Sequence, residues 1–159
     1  RTEAGRICLD AEHVATEWGR RTGVSVVVLR CSGLYGPGRI VRRSMIENAE
    51  PIPGDPDKYL NMIHIDDAAQ AVTAALDAPK PSALYLVSDD RPVRRIEYYS
   101  RVAECLKADP PRFVTPSPGS PEAARDAASR RVANARMKAE LGVKLAYPDV
   151  TSGVPAALA

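Results

Sequence analysis

Tyr35 and His64 are the side chains in this sequence best suited to move a proton. A phenol can act as a general acid or base, and an imidazole titrates near neutral pH. We take both as candidate catalytic residues and as candidate substrate contacts. The alternative for each is structural, with the Tyr35 ring packing its own loop and the His64 imidazole tying a strand to a loop.

Tyr35 belongs to a glycine-rich loop, residues 31–38, which reads Cys-Ser-Gly-Leu-Tyr-Gly-Pro-Gly. Glycine and proline allow the backbone to turn sharply and to approach a ligand closely. The preceding run, residues 24–29, is apolar apart from Ser25 and rich in β-branched residues, which predicts a parallel-sheet strand covered on both faces. Because ligands bind outside the carboxyl ends of such strands, this loop is the first candidate site. Cys31 is either a reactive thiol there or a small buried apolar group.

Helical and strand patterns alternate along the chain, which predicts an α/β fold. Asp66 or Asp67 is a candidate N-cap for the third helix. Residues 50–58 are expected to form a surface loop or mobile lid, and the tail after Gly142 is expected to fray. The predicted helices are 5–21, 42–49, 68–77, 95–107, 122–128 and 134–141, and the predicted strands are 24–30, 61–65 and 83–87. The apolar face of the first helix comprises Ile7, Ala11, Val14, Ala15 and Trp18.

Composition excludes several classes of function. The chain has 159 residues and a formal charge of +2, and its basic residues are not gathered with aromatics, which argues against nucleic-acid binding. No apolar run approaches the roughly 18 residues of a membrane span, and no signal-peptide pattern opens the chain. Three scattered cysteines without metal-ligand spacing predict reduced thiols, a cytoplasmic protein and no metal site.

Ordered motifs along the chain resemble the C-terminal half of an atypical extended short-chain dehydrogenase/reductase of the NAD-dependent epimerase/dehydratase type. No strand here is followed by the Gly-rich phosphate-binding turn, so that turn is expected in an N-terminal half absent from this sequence. The motifs are Ala4-Gly5-Arg6 before Ala11-Glu12, Leu29-Arg30 before Leu34-Tyr35-Gly36-Pro37-Gly38, Asn61-x-Ile63-His64-Ile65-x-Asp67, Leu84-Tyr85-Leu86-Val87-Ser88-Asp89 and Arg130-Arg131-Val132-x-Asn134-x-Arg136-x-Lys138-x-x-Leu141-Gly142.

The resemblance implies an architecture and a set of ligand contacts. Residues 1–38 would form the last part of a Rossmann-like dinucleotide-binding sheet, and residues 39–159 a small α/β substrate-binding lobe with closing helices. The cofactor would be NAD or NADP, with the loop facing its nicotinamide end. The implied cofactor contacts are Arg6, Cys31, Ser32 and Gly33, and the implied substrate contacts are Tyr35, Met45, Asn61 and His64.

The sequence departs from this family at the catalytic Tyr-x-x-x-Lys pair. One alignment puts Thr2 and Arg6 in these positions, and another puts Ala4 and Cys8 there. Thr2 is kept as a third candidate catalytic residue, although a hydroxyl is a poor acid at neutral pH and a guanidinium shuttles no protons. Family members that act on nucleotide sugars often carry Asn where Gly33 stands and Arg where Leu60 stands, so a standard nucleotide sugar is not the expected substrate.

Two functions follow from this resemblance. One is the substrate-side half of an NAD(P)-dependent epimerase/dehydratase-like oxidoreductase that acts on a small molecule, the isolated chain being inactive. The other is a non-catalytic relative that binds dinucleotide as a sensor or acts as a protein-interaction module. A sheet divided in its middle exposes an edge and apolar surface, so the chain is expected to associate with its missing half or with itself.

Overall fold

The computed structural model describes residues 3–79, 81 and 83–159. Helices and strands alternate along them, which confirms the predicted α/β class. The helices are α1 (Glu3–Thr22), α2 (Arg43–Glu47), α3 (Ile65–Asp77), α4 (Arg95–Leu106), α5 (Pro121–Asp126), α6 (Ala135–Leu141) and α7 (Val150–Leu158). The strands are β1 (Val28–Cys31), β2 (Gly33–Tyr35), β3 (Ile52–Pro53), β4 (Tyr59–Leu60), β5 (Met62–His64), β6 (Leu84–Val87), β7 (Val93–Arg94) and β8 (Phe113–Val114).

Short ladders of two strands make up the sheet structure in the described residues. The pairs β1–β6, β2–β5 and β3–β8 are parallel, and β4–β7 is antiparallel. Strand β1 begins at Val28, later than predicted, because its ladder starts where its partner β6 starts. The chain passes directly from β1 into β2, so the first two ladders meet end to end.

Helix α1 packs against the segment that leads into β1. A Cβ added at Gly19 would lie 2.6 Å from Val26 Cγ2, so the absence of a side chain there permits the close approach. Farther along, Arg30 on β1 forms an ion pair with Glu12 on α1, with an N···O distance of 2.6 Å. The apolar face predicted for this helix is largely exposed: Ile7 is 63%, Val14 71% and Trp18 53% accessible.

The apolar core has two parts on the two sides of the β2–β5 ladder. One joins Ile63 of β5 to β6, α3 and α6, and it includes Ala71, Tyr85, Val87 and Met137. The larger part joins β2 to α4 and α7, and it includes Tyr35, Tyr98, Val102, Val150 and Val154. The predicted division of the chain after residue 38 stays a prediction. Tyr35, before that boundary, packs in one cluster with residues of α4 and α7 after it.

The prediction that the tail frays was wrong. Asp149 caps α7 by accepting hydrogen bonds from the Thr151 and Ser152 N–H groups, and the helix buries Val150 and Val154. Pro155 has no N–H, so it cannot bond to the carbonyl one turn earlier. The Arg101 guanidinium donates to that Thr151 carbonyl instead, at 3.2 Å.

The segment predicted as a surface loop or mobile lid, residues 50–58, is tied to the rest of the protein. Its residues Ile52–Pro53 form β3, and the Gly54 N–H donates to the Val114 carbonyl at 2.9 Å. The Asp126 side chain accepts from the Asp55 N–H and contacts Arg95 and Lys58. This part of the chain is therefore held by long-range bonds that a local sequence pattern does not reveal.

Among the described residues no helix combines the length and the hydropathy needed to cross a membrane.

Candidate functional site

The loop after β1 lies where the two parallel ladders meet, at a point we call the junction, residues 31–33, 61 and 88–89. The Ser32 N–H donates to the Val87 carbonyl, and the Gly33 N–H donates to the Asn61 carbonyl, both at 2.9 Å. The Asp89 N–H donates to the Met62 carbonyl at 2.8 Å. The junction therefore follows the carboxyl ends of β1 and β6, which is where ligands bind in α/β folds.

Gly33 is required at the junction by close packing. A Cβ there would lie 2.9 Å from the Met62 Sδ and 3.2 Å from the Asn61 carbonyl oxygen. A larger residue would force the Met62 side chain to move, and the backbone carbonyl leaves little space in the other direction. The missing side chain also leaves this position exposed to solvent.

Tyr35 and His64, the candidate catalytic residues, are buried. Tyr35 is 0% and His64 1% accessible, and their rings meet edge to face with centroids 5.3 Å apart. Burial, with a contribution from the Asp89 carboxylate, raises the pKa of Tyr35 far above its ordinary value. A phenol in this environment keeps its proton at neutral pH. The roles assigned to the two residues in proton transfer and substrate contact stay predictions, and in this conformation neither side chain reaches solvent.

His64 has a clear structural role. Its Nδ1 accepts a hydrogen bond from the Asp66 N–H at 3.3 Å, so His64 is the N-cap of α3. The predicted caps, Asp66 and Asp67, were therefore wrong. The buried Asp67 carboxylate instead accepts from the Ala146 and Tyr147 N–H groups, at 2.7 and 3.0 Å. The same carboxylate thus joins α3 to the segment that precedes α7.

Asp89 is a buried titratable residue that the sequence did not single out. It is 1% accessible, its Oδ1 accepts from the Arg91 N–H, and its Oδ2 has no partner among the described residues. Burial raises the pKa of Asp89 to about 7, and the neighbouring carboxylates of Asp149 and Asp90 add to this effect. Asp89 therefore changes charge near neutral pH.

The other predicted site residues are dispersed. Cys31 at the junction is exposed, and partial burial of its thiol raises its pKa. Ser32 is half-buried beside it, whereas Arg6 is exposed on α1. Met45 is half-buried on α2, where its Sδ lies 3.2 Å from Arg42 Nη1. Thr2 lies outside the described residues.

Asn61, a predicted substrate contact, uses its side chain on the protein itself. Its Nδ2 donates to the Arg130 carbonyl at 3.0 Å, and its Oδ1 accepts from the Val132 N–H at 2.7 Å. Asn134 is a second amide at the junction that the sequence did not single out. Its Nδ2 lies 3.0 Å from the Ser88 carbonyl and 3.1 Å from the Asp89 carbonyl. Its place in the motif with Arg130 and Arg131 was the only signal for it.

Comparisons with known proteins agree with this architecture. Residues 9–87 match the family described as NAD dependent epimerase/dehydratase. Protein YeeZ of Escherichia coli K12 is 30% identical over 151 residues, which are 93% of this chain and 49% of YeeZ. The chain thus spans about half the length of this curated relative.

Solved structures show the same fold. A conserved protein of unknown function from Silicibacter pomeroyi superimposes with a TM-score of 0.75 at 32% identity, over 89% of this chain and 51% of that one. UDP-glucuronic acid 4-epimerase from Bacillus cereus, in complex with UDP-glucuronic acid and NAD, gives 0.74 at 18% identity, over 94% and 49%. At that identity the second match establishes the fold alone.

Proposed function

Since the chain belongs to the NAD-dependent epimerase/dehydratase family, we propose that it is the substrate side of an NAD(P)-dependent oxidoreductase of this type. The observation that carries the proposal is the junction, where Cys31 ends β1, Ser32 and Gly33 follow it, and Cys31 and Gly33 are exposed. The substrate is proposed to be a small molecule other than a standard nucleotide sugar. Gly33 and Leu60 lack the polar groups that would contact the diphosphate of such a substrate.

The cofactor proposed for the complete site is NAD or NADP, with its nicotinamide end at the junction. The N–H groups of Ser32 and Gly33 are already bonded to Val87 and Asn61, so this loop offers side chains and carbonyl groups to a ligand. Gly33 adds no bulk, which suits close approach of a flat ring. A bound nicotinamide would supply hydride transfer.

The described residues would bind and position ligands in this proposal. Tyr35 and His64 have structural contacts in the core: His64 caps α3, and Tyr35 packs against α7. Neither is exposed in this conformation, and burial raises the pKa of Tyr35. Their roles in proton transfer stay predictions. The alternative function, a non-catalytic dinucleotide sensor or interaction module, draws support from the same burial and from the unmatched Tyr-x-x-x-Lys pair.

Exposed apolar surface supports a proposed partner for this chain. A groove of about 330 Å³ lies between β1 and α3, lined by Val27, Leu29, Val72 and Leu76 among others. Leu76 is 81% exposed, and β1 pairs only with β6 in the part of the chain that is described. We propose that the dinucleotide-binding half of the family fold covers this groove and the free edge of β1. Association of two copies is the alternative.

Two exposed cysteines allow a direct test of where the cofactor lies. Cys31 is at the junction and Cys8 is on α1, so Cys8 serves as an internal control. The full-length protein would be alkylated in the presence and absence of NADH or NADPH. The rate of modification at each cysteine would be measured by mass spectrometry. We expect the bound dinucleotide to slow alkylation of Cys31 and to leave Cys8 unchanged.

Binding itself would be followed through Trp18 and nicotinamide fluorescence. Failure to bind either dinucleotide would exclude the enzyme and the dinucleotide sensor, and would leave the interaction module. Binding without turnover of carbonyl or alcohol substrates would favour the sensor over the enzyme.

A further inference from the structure

The segment between β6 and β7, residues 88–92, is a polar connector that forms part of the junction. Its first two residues, Ser88 and Asp89, are 0% and 1% accessible, whereas Asp90 and Arg91 are exposed. The residue just before it, Val87, accepts the Ser32 N–H of the glycine loop. The conformation of the connector therefore determines part of the shape of the candidate ligand site.

Three elements hold the connector in this position. The Met62 carbonyl of β5 accepts from the Asp89 N–H at 2.8 Å, and the Pro148 carbonyl before α7 accepts from the Asp90 N–H at 2.9 Å. On α6, the Lys138 ammonium donates to both oxygens of the Asp90 carboxylate at 2.9 Å. These bonds use the backbone of the connector and its exposed carboxylate, and they leave the Asp89 side chain out.

The Asp89 carboxyl group is enclosed without a full set of hydrogen bonds. Its Oδ1 accepts from the Arg91 N–H within the connector at 3.3 Å, and its Oδ2 has no partner in the part of the chain that the structure describes. Burial of a carboxylate costs much more than burial of a neutral carboxylic acid, because a charge loses far more hydration. The observed conformation therefore suits Asp89 in its protonated form.

The nearby charges add to this preference. The carboxylates of Asp149 and Asp90 raise the pKa of Asp89 beyond the effect of burial, while Arg91 lowers it. The Arg91 guanidinium is shared with other acids, since its Nε lies 3.8 Å from Asp149 and its Nη2 lies 3.5 Å from Glu97. An ionised Asp89 would thus face two other carboxylates and only a part of one cation.

The groups on the remaining neighbouring elements do not compensate such a charge. On β2, burial raises the pKa of Tyr35, and the Asp89 carboxylate adds to this effect. The His64 imidazole of β5 packs against the Tyr35 ring, and Lys138 of α6 is engaged by Asp90. Within the described residues, none of these three side chains donates to the Asp89 carboxyl group.

We propose that the connector is a proton-linked switch at the ligand site, which stays closed while Asp89 is protonated and opens toward solvent more readily once Asp89 is ionised. Opening breaks the backbone bonds to Met62 and Pro148 and returns the carboxylate to water. The inference rests on the proposed function, because it assigns a regulation by pH to ligand binding at the junction. A ligand that requires the closed connector favours that state and suppresses opening.

Hydrogen exchange of the full-length protein at about pH 6 and about pH 8 tests the switch. The pKa of Asp89 is about 7 in the closed connector, against an ordinary value of 3.8 in water, so opening becomes more favourable as pH rises toward 7 and levels off above it. After correction for base catalysis, the protection factor of the Asp89 and Asp90 amides is expected to be about tenfold lower at the higher pH.

Asp89→Asn removes the charge and keeps the shape, so its protection factors at the two pH values are expected to be equal. Asp90→Asn is the matched control: it loses the ion pair with Lys138 and is less protected throughout, but it keeps the difference between the two pH values. Equal protection of the wild type at both pH values, or a difference that persists in Asp89→Asn, would overturn the proposal.

The amides of β6 (Leu84–Val87) report whether opening is local. The connector is expected to be less protected than β6 at both pH values. Protection factors that equal those of β6 and change with them would mean that exchange follows global unfolding, which would refute the switch.

NADH binding to the same protein at about pH 8 separates this inference from the proposed function. Bound NADH is expected to restore protection of the connector, and binding that leaves its protection unchanged would refute the regulation of the site. A pH-dependent connector in a protein without affinity for either dinucleotide retains the switch and loses the cofactor proposal. A protein that binds NADH but shows no pH-dependent protection retains the function and loses the switch.

Discussion

The first and last helices of the described chain differ in a way opposite to the expectation from sequence. Helix α1 has a regular apolar face, yet Val14 is 71% exposed. Helix α7 lies in a Pro- and Ala-rich tail that was expected to fray, yet Val154 is 0% exposed. An apolar pattern thus identifies a face that can be covered, whereas its burial depends on what the rest of the protein places against it.

The contacts of each helix explain the difference. Helix α7 packs on α4 and on Tyr35, whose hydroxyl lies against Gly153. Helix α1 meets the described part of the protein near Gly19 and through the Glu12–Arg30 ion pair, and its remaining surface faces solvent. This contrast indicates that α7 contributes to the stability of the chain, and that α1 leaves apolar side chains exposed.

Gly153→Ala is expected to have the largest effect on stability. The new Cβ would lie 1.9 Å from the Tyr35 hydroxyl oxygen, so α7 or the Tyr35 ring must move. We expect a loss of about 3 kcal/mol in the free energy of unfolding, measured with urea. Combining it with Tyr35→Phe should restore part of the loss, while Ala156→Ser on the exposed side of α7 should cost under about 0.5 kcal/mol. A full effect at Ala156 would contradict the packing described.

Asp89→Asn tests how the buried carboxyl group of Asp89 makes the free energy of unfolding depend on pH. The folded protein raises the pKa of Asp89 from 3.8 to about 7, so it binds the proton more tightly than the unfolded chain does. Protonation of Asp89 stabilises the folded protein fully at pH values below 3.8, the pKa of this group in the unfolded chain. This stabilisation is lost as pH rises through about 7, the pKa in the folded protein. The variant should therefore gain stability relative to the wild type as pH rises across this window, and keep a constant advantage above it.

Unfolding by urea at several pH values, for the wild type and Asp89→Asn side by side, measures this difference. Arg91, Asp90, Asp149 and Tyr35 act on the same carboxyl group and are unchanged in the comparison. A difference between the two proteins that does not vary with pH would show that Asp89 titrates near its ordinary value.

Asp149→Ala is expected to cost about 1 kcal/mol, the usual value of an N-cap. Its Oδ1 accepts from the Thr151 N–H at 2.8 Å and the Ser152 N–H at 3.3 Å at the start of α7. Asp77→Ala is a suitable control, because Asp77 is exposed at the C-terminal end of α3, where a negative charge is unfavourable. Thermal denaturation followed by circular dichroism should show a lower Tm only for the first variant.

The smallest effect is expected for Val14→Ala, which should change the free energy of unfolding by less than about 0.5 kcal/mol. Val154→Ala removes the same atoms from a buried position and should cost about 1 to 2 kcal/mol. Urea unfolding of the isolated 159-residue chain compares this matched pair. Similar losses for both would show that α1 is covered, for instance by a second copy, and sedimentation analysis would then reveal the dimer.

Local pattern was sufficient to predict most of the elements. The helices at 95–106 and 135–141 and the strand at 84–87 occur within a residue or two of their predicted positions. Caps and contacts over long distances in sequence were not predictable in this way. His64 caps α3 in place of either aspartate, and Asp67 binds the distant Ala146 and Tyr147 N–H groups. Such bonds depend on which segments meet after folding.

The sequence by itself determined the helices α1 to α6, the strands β1, β5 and β6 and the motifs of the family, because these depend on residues close together in the chain. It did not predict the short strand β2, which lies within the segment 31–38 that was expected to be a loop. Only the tertiary structure decided that Tyr35 and His64 are buried, that the Asn61 side chain bonds to the backbone of residues 130 and 132, and that Asp89 is enclosed near other carboxylates. Burial and hydrogen bonding of a side chain are set by segments far away in sequence, so its chemistry follows from the fold.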